Sequence, residues 1–271
     1  MKRNQHINGV DLAFDDLGEG PPVVLLHPFP FDRRYWAGNI PTLASAGHRV
    51  IALDAPGSGD SSPSREALSI SEIADRLAVL LDQLDIERAT ILGLSMGGYV
   101  ALAFAAKFAD QLAAVVLANT RAAPDGPPVR QGREQALGTI HERGVEAYLD
   151  QSLPRLLAPN AGTDLTARVR SLAETRSETL VSGILALRDR PDRSADLARI
   201  ACPVLVVAGE VDQITPPAEM RAMSGAVPHA RFVELAGAGH LSSIETPAAF
   251  NQTVESPATW TRFWPMLTVI P

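Results

Sequence analysis

Residues 93–98, Gly-Leu-Ser-Met-Gly-Gly, constrain this chain more than any other stretch. Ala89-Thr90-Ile91-Leu92 before them reads as a short buried strand. Tyr99-Val100-Ala101-Leu102-Ala103-Phe104-Ala105-Ala106 after them reads as a helix packed on both sides. A serine caught between the two must turn sharply, in strained backbone, with its hydroxyl pushed outward. Small residues two before and two after Ser95 are required, because the turn brings neighbouring backbone too close for side chains. G-x-S-x-G between a strand and a helix is a nucleophile elbow. The helix N-terminus behind Ser95 adds partial positive charge where an oxyanion would form.

Around this turn, short apolar runs alternate with helical segments, the pattern of a mostly parallel sheet covered on both faces. The runs at 23–27, 49–54, 90–94, 113–118, 204–208 and 231–235 are rich in Val, Leu and Ile without clean alternation, as strands buried on two faces should be. Segments 6–10 and 11–17 pair as an antiparallel hairpin about Asn8-Gly9. Residues 71–84 form a helix with Ser71 as its cap, and Ile73, Leu77, Leu80, Leu81 and Leu84 lie on one face. The alternation breaks between 121 and 199. That stretch opens with a loop, Pro124-Asp125-Gly126-Pro127-Pro128, and then carries amphipathic helical patterns and no strand. The expected organisation is a core of residues 1–120 and 200–254 with a helical cap, 121–199, over the strand ends where open α/β sheets bind ligands. Residues 247–254 read as a last helix. The tail 255–271 is atypical, with Trp260, Phe263, Trp264 and Leu267 among three prolines. It is expected to be peripheral to the chemistry.

A serine hydroxyl is a weak nucleophile and needs a base, itself oriented by a third group. The base expected is His240, in Gly237-Ala238-Gly239-His240-Leu241 directly after an apolar strand. His6 lies near the terminus, His48 and His229 in polar turns, and His141 in the helical insertion, so none competes well. The acid expected is Asp212, after the strand that ends in Ala208-Gly209, with Glu210 a distant second. An oxyanion hole needs two backbone N–H groups. Met96 supplies one. The second comes from Pro28-Phe29-Pro30-Phe31, where only Phe29 and Phe31 have an amide hydrogen and Phe29 sits between the two prolines. His27 before it reads as a structural hydrogen-bonder. Phe31 is expected to help bind substrate in a neutral, apolar site.

Several classes are disfavoured. A net charge of −7 with no basic stripe argues against a nucleic-acid partner or an anionic membrane surface. A single cysteine, Cys202, excludes an internal disulfide and a cysteine metal cluster, and reads as an inert thiol. The first residues lack the apolar core of a signal peptide, and no apolar run is long enough to span a membrane, so the expected location is cytoplasmic.

These motifs together resemble the α/β-hydrolase family, over the chain to about Val254. His27-Pro28-Phe29-Pro30 resembles its His-Gly-x-Pro oxyanion loop, and Asp54-Ala55-Pro56-Gly57-Ser58-Gly59-Asp60-Ser61 its Asp-x-x-Gly-x-Gly-x-Ser turn. Gly209-Glu210-Val211-Asp212 and Gly239-His240-Leu241 resemble its acid and base loops. Pro28 replaces the usual glycine, and Pro56 stands where arginine is common. The resemblance is greatest to small carboxylesterases, aryl esterases and β-ketoadipate enol-lactone hydrolases. It implies an eight-stranded, mostly parallel sheet, the chain order Ser95, Asp212, His240, and hydrolysis of a small-molecule ester or lactone through an acyl-enzyme, with no cofactor and no metal. Self-association into a homo-oligomer is left open. Two alternatives stand beside this: a perhydrolase, acyltransferase or carbon–carbon bond hydrolase with the same triad, and a ligand-binding receptor or scaffold without turnover.

Overall fold

Asn8 and Gly9, with φ of 48° and 79°, turn the chain between β1 (Lys2–Ile7) and β2 (Val10–Leu17). Positive φ at both central residues matches the right-handed twist of the strands, which pair antiparallel from Ile7↔Val10 outward. In this computed structural model, which describes residues 1–64 and 67–255, the hairpin forms one edge of an eight-stranded sheet. The chain continues through β3 (Pro22–Leu26), α1 (Ile40–Ser45), β4 (Arg49–Leu53), α2 (Ile70–Gln83), β5 (Ala89–Leu94), α3 (Met96–Lys107) and β6 (Leu112–Ala118). After a helical stretch come β7 (Val204–Gly209), with a helix (Pro217–Gly225), then β8 (Arg231–Leu235) and two short helices (Ser242–Glu245 and Pro247–Glu255). The strand order is β1-β2-β4-β3-β5-β6-β7-β8, antiparallel at β1–β2 and β2–β4 and parallel elsewhere.

The strands lack alternation in sequence because both faces are buried, and the structure separates the two faces residue by residue. Val24, Leu26, Ile51, Leu53, Ile91, Val115 and Val206 enter one core, with α2 and α3. Val23, Leu25, Val50, Ala52, Leu92, Val116 and Leu205 enter the other, with α1 and the last helix. α3 is buried from Met96 to Ala105, as the apolar run after the elbow requires.

Segment 121–199 is helical, with no strand. It holds α4 (Pro127–Ser152), α5 (Thr163–Leu172) and α6 (Ser177–Arg188). α4 is kinked at Gly144, whose φ of 85° and ψ of 171° break the helical path. Ile140, Leu149, Val169, Leu180 and Ile184 from this segment join the second core.

Several local expectations shift. The hairpin strands, expected at 6–10 and 11–17, are Lys2–Ile7 and Val10–Leu17. Ser69, not Ser71, caps α2, accepting a hydrogen bond from the Glu72 amide. β3, expected through His27, ends at Leu26, and the His27 ring bonds the loop that follows. The loop expected through Pro128 ends at Gly126, because Pro127 and Pro128 sit in the first turn of α4, where a missing N–H costs nothing. Among the described residues no helix is long and apolar enough to cross a membrane. The tail, apart from Glu255 at the end of the last helix, lies outside the described residues.

Candidate active site

Parallel strands bring their C-terminal ends to one edge of the sheet. The loops after β3, β5, β7 and β8 emerge there, and they carry Phe29, Ser95, Asp212 and His240.

Ser95 has φ 53° and ψ −112°, a region that non-glycine residues rarely enter. The surrounding glycines make this turn sterically possible. A β-carbon on Gly93 would stand 2.1 Å from the Gly97 carbonyl oxygen, and one on Gly98 would lie 2.5 Å from the Thr120 side chain. The Ser95 amide donates to the Ala118 carbonyl at 2.9 Å, and Thr120 Oγ1 donates to the Ser95 carbonyl at 2.9 Å. The Ser95 turn is thus fastened to the end of β6 from both sides.

His240 Nε2 lies 2.9 Å from Ser95 Oγ, and its Nδ1 lies 2.8 Å from Asp212 Oδ2. The histidine and the acid are buried, at 2% and 4% exposure, while Ser95 is half-buried. Asp212 is an acceptor at both oxygens. Oδ1 takes the Ile214 and Thr215 amides, and Oδ2 takes Thr215 Oγ1 and Asn119 Nδ2 besides the imidazole. Burial opposes its ionisation, but the His240 charge and these hydrogen bonds outweigh it and hold the carboxyl well below the usual carboxylate range. An ionised acid behind Nδ1 keeps the proton there and leaves Nε2 free to accept from Ser95. Glu210 does not compete. It is exposed, and its carboxylate accepts the Gly237 amide at 2.7 Å.

The loop 28–31 is a tight turn closed by the Phe31 amide on the Pro28 carbonyl at 3.0 Å. His27 braces it. Its Nε2 accepts the Ala55 amide at 3.1 Å, so Nδ1 carries the proton and donates to the Pro28 carbonyl at 3.0 Å. Neither the Phe29 nor the Met96 amide is taken by a protein acceptor among the described residues. The turn also decides between the two phenylalanines. Phe31, expected in the substrate site, is 1% exposed and its ring lies 5.4 Å from that of Tyr35 in the core. Phe29 is the accessible one, half-buried against Gly183 of α6. Cys202 is remote in role as well. It begins the approach to β7, and burial pushes its thiol up to about 11.

Several residues that sequence patterns did not single out hold this arrangement. The Leu156 carbonyl accepts the amides of His240 and Leu241 at 3.1 and 3.2 Å. Glu245 accepts the Leu241 amide with one oxygen and the Ala158 amide with the other, at 3.0 and 2.7 Å. The Glu174 amide donates to the Pro30 carbonyl at 2.8 Å, and Arg176 reaches the carbonyls of Gly57 and Gly59. Helical segment 121–199 therefore touches the loops after β3, β4 and β8.

The sequence profile of the Alpha/beta hydrolase family matches residues 23–253. A thermophilic esterase from Thermogutta terrifontis is 33% identical and superposes with a TM-score of 0.87 over 97% of this chain and 98% of its own. The enol-lactonase from Burkholderia xenovorans LB400 is 31% identical, with a TM-score of 0.85 over 96% of this chain and 100% of its own. A 3-oxoadipate enol-lactonase from Acinetobacter baylyi is 30% identical over 76% of this chain and 77% of its own. With these relatives and a family match over most of its length, the protein is a hydrolase and belongs to the alpha/beta hydrolase family.

Proposed function

We propose that this chain is a serine hydrolase that cleaves carboxylic esters or lactones through an acyl-enzyme. One observation carries the reading: the unbroken chain of bonds from Ser95 Oγ through His240 to Asp212, at 2.9 and 2.8 Å. Ser95 Oγ attacks the substrate carbonyl carbon while His240 Nε2 takes its proton. The negative charge that develops on the carbonyl oxygen is met by the Phe29 and Met96 amides and by the N-terminus of α3. The tetrahedral adduct collapses, the bond to the alcohol oxygen breaks, and the imidazolium protonates that oxygen. In a lactone the released alcohol stays attached to the acyl group. Water then gives its proton to His240 and attacks the acyl carbon, and Ser95 leaves with the proton restored.

Segment 121–199 serves as the cap in this reading, and residues 1–120 and 200–254 as the core. The contacts of Glu174, Arg176, Leu156 and Gly183 with the core loops support that division. Phe29 borders the substrate on the cap side, and Phe31 acts by packing the turn that presents the Phe29 amide. The esterase and enol-lactonase names of the three relatives above support esters and enol-lactones as substrates.

The test is Ser95→Ala, assayed on p-nitrophenyl esters and a panel of lactones beside fluorophosphonate labelling. Turnover should fall by on the order of a thousandfold or more, with labelling lost and the fold retained. A folded variant that still hydrolyses these substrates at the parent rate rules the mechanism out. A parent protein that neither labels nor turns over any ester or lactone points to the binding-scaffold alternative.

A further inference from the structure

Asp212 Oδ2 receives three donors, and the mechanism above accounts for one of them. Thr215 belongs to the same loop. The third comes from Asn119, far away in the chain, at the end of β6. Its Nδ2 lies 2.9 Å from Asp212 Oδ2 and 3.2 Å from the carbonyl of Gly239, the residue before His240. Both of these groups only accept, so the amide must present its NH2 to them. Ser242 Oγ, 2.5 Å from Asn119 Oδ1, donates from the other side and fixes which end is which. Asn119 is fully buried, and its own amide donates to the Val207 carbonyl at 2.9 Å. Its φ is 45°, a left-handed conformation that asparagine tolerates better than most residues.

The consequence is geometric. One planar group, hydrogen-bonded at both ends, ties the acid on the β7 loop to the backbone of the base on the β8 loop. Neither loop can shift along its own strand without breaking a bond to Asn119. The next residue, Thr120, holds the Ser95 carbonyl. Two adjacent residues at the end of β6 thus connect the serine turn with the acid–base pair.

We infer that Asn119 is a positioning residue for the acid–base pair: its amide sets the Asp212 carboxylate and the Gly239 carbonyl relative to each other, and through them aims the His240 imidazole at Ser95. The inference rests on the reading of Ser95, His240 and Asp212 as the reacting unit. A buried, satisfied asparagine that merely stabilises the fold would contribute to the melting temperature and leave the chemistry per folded molecule alone.

Asn119→Gly tests this best, because glycine keeps the left-handed backbone and removes only the amide. Asn119→Asp keeps the shape and replaces the donor by an oxygen facing two acceptors. Three quantities are read: kcat and KM on a p-nitrophenyl ester, the melting temperature, and the low-field proton resonance of His240 Nδ1–H. For Asn119→Gly, kcat should fall about ten- to a hundredfold, the size of one charge-assisted hydrogen bond, with KM within about twofold. Asn119→Asp should fall further, and in both the resonance should move. A folded Asn119→Gly protein with parent kcat and an unmoved resonance overturns the inference, as does a change confined to KM. Should neither variant fold, Ser242→Ala removes only the hydroxyl that orients the amide. It should lower kcat by about two- to tenfold and move the resonance, and parent behaviour in both overturns the inference. Recording the resonance of Asn119→Gly in a Ser95→Ala background separates the two claims. Hydrolysis that survives Ser95→Ala alone defeats the functional reading. A dead Ser95→Ala protein whose resonance ignores Asn119→Gly defeats only the role of Asn119.

Discussion

A β-carbon built on Gly97 would stand 2.0 Å from the carbonyl oxygen of Leu26. Leu26 is the last residue of β3, and the loop that carries Phe29 begins directly after it. The first turn of α3 therefore lies against the end of the strand that launches the Phe29 loop. Gly97→Ala must push these two backbones apart. The contact is with main chain, which cannot rotate away, so the cost should exceed the ~1–3 kcal/mol of ordinary overpacking. The expected result is a large fall in melting temperature, with labelling at Ser95 lost in whatever fraction still folds. A Gly97→Ala protein that melted and labelled like the parent would mean that β3 and α3 are less tightly apposed than the structure has them.

His240 and Ser95 should behave as one unit. His240→Ala combined with Ser95→Ala is expected to cost little more than either alone, because each removes what the other needs. Near-additive losses in the double-mutant cycle would argue that the imidazole is not the base. The acid assignment is checked in the same way. Asp212→Asn should cripple turnover and Glu210→Gln should not, since Glu210 bonds Gly237 rather than the imidazole.

Gly183 of α6 offers a way to alter selectivity without touching the reacting groups. A β-carbon there would lie 2.5 Å from the edge of the Phe29 ring, a side-chain atom that can yield. Gly183→Ala should fold, label, and lose room beside Phe29. The ratio of kcat/KM for short over long acyl chains is expected to rise about tenfold, the scale of one methyl group in an apolar pocket. An unchanged profile across p-nitrophenyl esters of increasing length would place substrate elsewhere than against Phe29.

How much of this was legible in the sequence follows from how local each feature is. Ser95, Asp212 and His240 could be read because each follows an apolar strand in a short glycine-bearing turn, and the parallel sheet brings such turns to one edge. The six apolar strands are readable from their runs of Val, Leu and Ile, whereas β1, polar and antiparallel at the edge, lies at Lys2–Ile7 rather than at 6–10. The cap of α2 was misplaced by two residues, since Ser69 and Ser71 are equally plausible caps until the hydrogen bond to Glu72 is seen. Phe31 reads as a substrate contact because it belongs to a neutral, apolar neighbourhood with Phe29 and Met96, and the bond from its amide to Pro28 turns it into the core. Asn119, Leu156 and Glu245 carried no local pattern at all. Their partners lie in other loops, and only the packing of the strands and of the helical segment brings them together.

The environment of Asp212 also predicts how its contribution to stability varies with pH. Its carboxyl in the folded protein is held below the ordinary value of 3.8, despite burial, by His240 and the hydrogen bonds around it. A carboxyl depressed in this way binds fewer protons folded than unfolded near its titration range. Its stabilisation is therefore fully present above pH 3.8 and is lost as pH falls through the lower, folded-state value. Asp212→Asn removes the charge at every pH. The gap in melting temperature between parent and variant should narrow as pH falls below about 4. Thermal melts of both proteins across that range check the expectation. A gap that widened below about pH 4 would require the Asp212 carboxyl to be easier to protonate in the folded protein than in the unfolded chain, and the bonds from Thr215, Asn119 and His240 would then have to be weaker than their geometry implies.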